Sequence, residues 1–182
     1  MSRSHPDGRY RLPARVMHWL VALAIPVQLG LGWVAELSDS QAESMRMILL
    51  HYQFGVVIAA LMVLRLSWRL LFGVPDASTD QPSWQRRFAA MVHWLMYGLL
   101  FALPISGYVI WVWMDVSMDV FGVLSLPRLL TPPEDDESGR ALAWYVHYWA
   151  GWTLVLLALL HVSAAMWHQW IRRDGLIRDR MV

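Results

Sequence analysis

Long apolar runs alternate with short polar joints along this chain. Four segments, residues 16–35, 47–64, 88–114 and 141–171, contain no Asp, Glu, Lys or Arg, and each is close to the length of roughly 20 residues that crosses a bilayer as a helix. The second is the shortest, but Arg65 and Arg69 at its end can snorkel, so its helix is expected to continue to Leu71. The pattern predicts an all-α integral membrane four-helix bundle, one domain over residues 1–182, with spans at about 13–36, 46–72, 86–114 and 141–171. The joint GVPDASTDQPS at residues 73–83 separates two helical hairpins, and residues 115–140 form the longest connection. Within that connection Phe121 to Leu126 is expected to make a short interfacial element, and the acidic run Glu134, Asp135, Asp136, Glu137 a solvated loop.

Charge sets an orientation. Arg3, Arg9, Arg11 and Arg15 precede the first span, Arg65, Arg69, Arg86 and Arg87 flank the second joint, and Arg172, Arg173, Arg178 and Arg180 follow the fourth span. The first and third joints are acidic (Glu36, Asp39, Glu43; Asp115, Asp119 and the run above). Positive residues stay inside, so both termini are predicted to be cytoplasmic and residues 115–140 periplasmic. The first apolar segment is long enough to span and lacks a small-residue cleavage site, so it is expected to remain as a helix.

Composition narrows the chemistry. The chain is 57% hydrophobic with twelve Trp, no Lys and no Cys. Eight of the tryptophans (Trp33, Trp68, Trp84, Trp111, Trp113, Trp144, Trp167, Trp170) fall near span ends, as an interfacial belt requires. Without Cys there are no disulfides, iron–sulfur clusters, thiolate ligands or covalent haem attachment, so any haem is a noncovalent b-type haem. No basic cluster with interleaved aromatics points to nucleic acid.

Histidines are the informative polar residues. His147 and His161 lie fourteen residues apart, almost four helical turns, and so face one way about 21 Å apart along the axis. A single intramembrane His is as easily a helix–helix hydrogen bond as a ligand. The apolar segments also carry His18, His51 and His93, with His168 at a helix end, and that count favours metal ligation. With the N-terminus inside, His51 and His147 share an outer level and form the obvious outer haem pair. At the inner level His18, His93, His161 and His168 compete for two axial positions, with His161 preferred because it shares the stripe of His147. Ser106, Ser163, Thr153 and Gln28 are polar groups that can hold the second ring nitrogen of a ligating His, or simply pack helices.

The hairpins echo one another. HWLVAL at His18 has Gly32 fourteen residues on, and HWLMYG at His93 has Gly107 at the same offset; HYQFG at His51 and HYWAG at His147 open the even spans. Fourteen residues beyond those lie Arg65 and His161. Gly55 and Gly151 fall one turn beyond His51 and His147, where a missing side chain lets a flat macrocycle lie against backbone or lets helices approach. Haem propionates need cationic partners near the surface, and Arg65, the deepest arginine, suits that role at the inner site. Arg46, Arg128 and Arg140 are the outer cations.

R-x-x-x-HWL around His18, HYQFG with VLRL at Arg65, HWLMYGLLFALPISG from His93, and HYWAG through HVSAAMWHQWIRRD together resemble the bacterial cytochrome b561 family over nearly the whole chain. The resemblance implies a di-haem cytochrome b of the bacterial inner membrane that exchanges electrons with quinone. It makes His18 and His161 the inner axial ligands and His51 and His147 the outer ones. His93 and His168 become residues near a propionate or quinone. Some members are superoxide oxidases with a positively charged outer approach; the acidic outer joints here depart from that and suit a basic periplasmic redox protein.

The expected function is therefore membrane electron transfer between a periplasmic one-electron donor or acceptor and quinone, with ubiquinone as a candidate bound substrate, through two haem b groups in contact with lipid; a homo-oligomer is compatible with this. The alternative is a superoxide:ubiquinone oxidoreductase, and enzyme status waits on that chemistry. A haem-free transporter or assembly protein is the third reading.

Overall fold

The computed structural model describes residues 9–75, 82–116, 118–133 and 136–181; Arg3, Glu134 and Asp135, which enter the charge pattern, lie outside them. Helix α1 (Leu12–Leu37) opens with Pro in its first turn, where a missing N–H costs nothing. Helix α2 (Gln41–Phe72) follows a three-residue joint; the Ser40 hydroxyl caps it by accepting from the Glu43 N–H, and Gly73 at φ 72° ends it. Helix α3 (Ser83–Trp113) contains Pro104, and α4 (Glu137–Met166) runs on as a π-helical turn over Trp167–Arg172. A short α5 (Leu176–Met181) returns to the start of the chain, where the Tyr10 N–H donates to the Arg180 carbonyl and the Trp19 indole to that of Met181.

Four helices, α4 counted through Arg172, are long and apolar enough to cross a membrane. They extend a few residues past the charge-free segments, and at the starts of α2 and α4 a side-chain cap rather than charge sets the end. The cap at α4 illustrates this: Asp136 accepts from the Gly139 N–H at 2.9 Å and from the Trp113 indole at 3.2 Å, tying the start of α4 to the end of α3. Apolar side chains on the outer faces, among them Leu23, Leu156 and Leu159, are exposed, as lipid-facing residues are.

Packing is in two hairpins: α1 lies along α2 and α3 along α4, with a thinner seam between α2 and α3. A mid-height layer of Val21, Ile58, Met62, Tyr97, Leu100 and Leu154 draws on all four helices and separates the two ends of the bundle. The Phe121 to Leu126 element is a β-hairpin, β1 (Asp119–Val120) with β2 (Leu124–Ser125), turned through Phe121 and Gly122 at φ 51° and 68°. Two successive positive φ values are those of a type I′ turn, whose twist matches an antiparallel pair. Met118 and Val120 bury the hairpin on Tyr52, Trp111 and Val112, at the end of the bundle that carries His51.

Candidate functional site

A cavity of about 560 Å³ opens between the hairpins at that end, within the roughly 300–1,000 Å³ usual for cofactor clefts. His51 from α2 and His147 from α4 both line it, with ring centroids 5.9 Å apart and planes at 70°. A metal held between two imidazoles that face it from opposite sides, with nitrogens at about 2.0–2.1 Å, places the ring centroids roughly 6 Å apart. Each ring is anchored through Nδ1. The His51 Nδ1–H donates to the Gln28 carbonyl at 2.9 Å, while the Gln28 side-chain amide donates to the His51 carbonyl at 2.7 Å. His147 Nδ1 meets the Ser106 hydroxyl at 3.0 Å. A hydrogen bond at Nδ1 leaves Nε2 as the nitrogen available for ligation.

Glycines on the neighbouring helices make room for these rings. A Cβ on Gly32 of α1 would lie 3.2 Å from His51 Cε1 and Nδ1, and one on Gly107 of α3 would lie 3.3 Å from His147 Cε1. Gly55 lines the cavity, but its missing side chain is explained by the Gln28 amide, 3.1 Å from where a Cβ would sit. Gly151 also lines the cavity and has nothing within 4 Å, so there the floor is open. The repeated fourteen-residue offset from His18 to Gly32 and from His93 to Gly107 was the signal for the two imidazole-supporting glycines; nothing in it says which helix they face.

At the other end of the bundle three histidines converge. His18 and His161 have centroids 6.3 Å apart, and His93 and His161 5.2 Å. The first separation matches a metal-bridged pair and the second falls short of it. Arg65 donates to the Ala14 carbonyl at 3.1 Å, and its guanidinium is close enough to interact electrostatically with all three rings. His168 is turned to Asp174 instead, with its Nδ1 2.5 Å from the carboxylate. Thr153 bonds back to the Trp149 carbonyl of its own helix, and Arg128 pairs with Asp115.

Among the described residues no group of three or more His, Cys, Asp or Glu is placed to hold a bare ion. Imidazole pairs at metal-bridging separation, with no carboxylate or thiolate beside them, suit a macrocycle that brings its own nitrogens. The open floor at Gly151 and the cavity beside the anchored rings fit such a flat group.

Relatives agree with this chemistry. Cytochrome b561 homolog 2 of Escherichia coli (strain K12) is 28% identical over 179 residues, covering 98% of this chain and 94% of the relative. Cytochrome b561 homolog 1 of the same organism is 26% identical over 170 residues, covering 91% and 92%. A protein named probable superoxide oxidase CybB of Yersinia pestis is 26% identical over 168 residues, covering 91% of each chain. Residues 9–182 match the family described as prokaryotic cytochrome b561. Four bilayer-length helices, facing histidine pairs and a match spanning nearly every residue together place this chain in the prokaryotic cytochrome b561 family, as a haem-binding membrane protein of electron transport.

Proposed function

We propose that this protein is a di-haem cytochrome b of the bacterial inner membrane that passes electrons between a one-electron partner at its periplasmic end and quinone in the bilayer. The observation that carries the reading is the His51–His147 pair, at 5.9 Å across a roomy cavity with both Nδ1 atoms anchored. His51 and His147 hold the first haem. His18 and His161, at 6.3 Å, hold the second. Haem held by two imidazoles would supply one-electron exchange and leave oxygen no place to bind. Gln28 and Ser106 keep two of the ligating nitrogens aimed, Gly32 and Gly107 let those rings sit close to the neighbouring helices, and the apolar mid-height layer excludes water between the sites. Arg65 supplies positive charge beside the inner pair, where it offsets haem carboxylates, and His93 sits beside His161 without ligating.

The arginine distribution supports placing both termini and the Arg65 end in the cytoplasm and the β-hairpin in the periplasm. The relative named probable superoxide oxidase favours a second reading, oxidation of periplasmic superoxide with quinone as acceptor.

Haem-to-protein stoichiometry with a redox titration tests the assignment. Two haems per chain are expected, falling to one in His51→Ala or His147→Ala and, separately, in His18→Ala or His161→Ala. Full haem content in any two of these variants rejects the ligand set. For the second reading, haem reduction by superoxide that slows as salt rises is expected; no reduction above a haem-free control discards it.

A further inference from the structure

Aromatic residues aside, Ser106 is the one buried polar side chain among the described residues, at 7% exposure, and it breaks the internal symmetry of the bundle. The odd helices correspond at an offset of 75 residues (His18 with His93, Gly32 with Gly107), and the even helices at 96 (His51 with His147, Gly55 with Gly151). The structure respects this match, because Gly32 supports His51 as Gly107 supports His147. By the same offset Gln28 corresponds to Leu103. The Gln28 carbonyl accepts the Nδ1–H of His51. Ser106 corresponds to Leu31, so the first hairpin has no hydroxyl at this place.

The hydroxyl is fixed by its neighbours. Ser106 Oγ lies 2.8 Å from the Ala102 carbonyl and 3.0 Å from that of Leu103, and carbonyls only accept. The Ser106 proton therefore goes to the backbone, and Oγ is left to accept from the Nδ1–H of His147 at 3.0 Å. Pro104, two residues earlier, removes one helical N–H from α3, and Gly107, one residue later, clears space for the ring.

We propose that Ser106 is a positioning residue for His147, holding its imidazole as the Nδ1–H tautomer and raising its donor strength toward a metal at Nε2. An acceptor on the far nitrogen of a ligating His raises the basicity of the ligand. Losing it favours the reduced metal, so the midpoint potential moves positive. The inference rests on the reading that His51 and His147 hold a haem.

The test compares Ser106→Ala, Ser106→Cys and Ser106→Thr in the purified holoprotein, by redox titration and by the ferric low-spin electron paramagnetic resonance signals. His147→Ala identifies which haem is concerned. Ala removes the acceptor and Cys replaces it with a weak one of similar size, so both should shift that haem alone to a more positive midpoint. Thr keeps a hydroxyl that can bond back to the preceding turn, and should titrate like the wild type. Midpoints and signals unchanged in both Ala and Cys overturn the proposal, as do equal shifts in all three variants, which mark mere packing. If Ala does not fold, Cys against Thr decides alone. Two haems retained in His147→Ala would instead reject the site reading beneath it.

Discussion

Replacing Gly32 by Ala should loosen the His51 site, and Gly30→Ala, two residues away on the same helix, supplies the control. Both substitutions gain about 1 kcal/mol of helix propensity. They differ in what the new methyl meets. At Gly30 nothing lies within 4 Å, whereas at Gly32 a Cβ would sit 3.2 Å from two atoms of the His51 ring. Carbon atoms are comfortable at about 3.5–4.0 Å, so the imidazole must retreat from α1 by a few tenths of an ångström. That motion stretches the 2.9 Å bond from Nδ1 to the Gln28 carbonyl, which is itself on α1. Overpacking of this kind costs about 1–3 kcal/mol. The expected difference between the variants is therefore about 1–3 kcal/mol, or roughly 5- to 150-fold in haem affinity. Haem transfer from each purified variant to an excess of a haem-scavenging apoprotein measures it. Equal rates for Gly30→Ala and Gly32→Ala would falsify the claim that Gly32 exists to seat the ring.

Gly151→Ala meets no protein atom but projects into the cavity wall, so it should lower haem content while leaving the apoprotein folded; Gly98→Ala, also open but away from the cavity, should leave haem content unchanged. His93→Gln should retain both haems in the absorbance spectrum, since its ring lies closer to His161 than a pair facing across a metal; loss of one haem would make His93 the ligand in place of His18. Asp136→Ala removes the cap of α4 and the acceptor of the Trp113 indole, and should lower stability by about 1–2 kcal/mol, read as faster amide exchange in the first turn of α4. Asp136→Asn keeps an acceptor oxygen, and a loss as large as that of Ala would refute the capping account.

Helix number and type were legible from residues 16–35, 47–64, 88–114 and 141–171, because a charge-free stretch of that length has few alternatives to a spanning helix. Helix ends were less so. Ser40, Gly73 and Asp136 carry the chain beyond the apolar runs, and caps are local hydrogen-bond arrangements that hydrophobicity does not report. The β-hairpin at residues 119–125 was visible only as an interfacial element, since two-residue strands leave no readable alternation.

By itself the sequence determined the composition of the candidate site: which histidines share a stripe, at what depth, and that His51 and His147 stand level. The stripes follow from one helix at a time, through a rise of about 1.5 Å and a turn of about 100° per residue, and the levels from the alternating direction of the spans. Tertiary structure alone decided how the helices face each other. It brought His18 and His93 to the same ring of His161, at 6.3 and 5.2 Å, where depth could not rank them. It turned His168 to Asp174, set Gly32 and Gly107 against the imidazoles, and chose Gln28 and Ser106 as their anchors. The physical reason is that periodicity fixes each residue's angle about its own axis, whereas the rotation of one helix against another is set by packing between residues far apart in the chain.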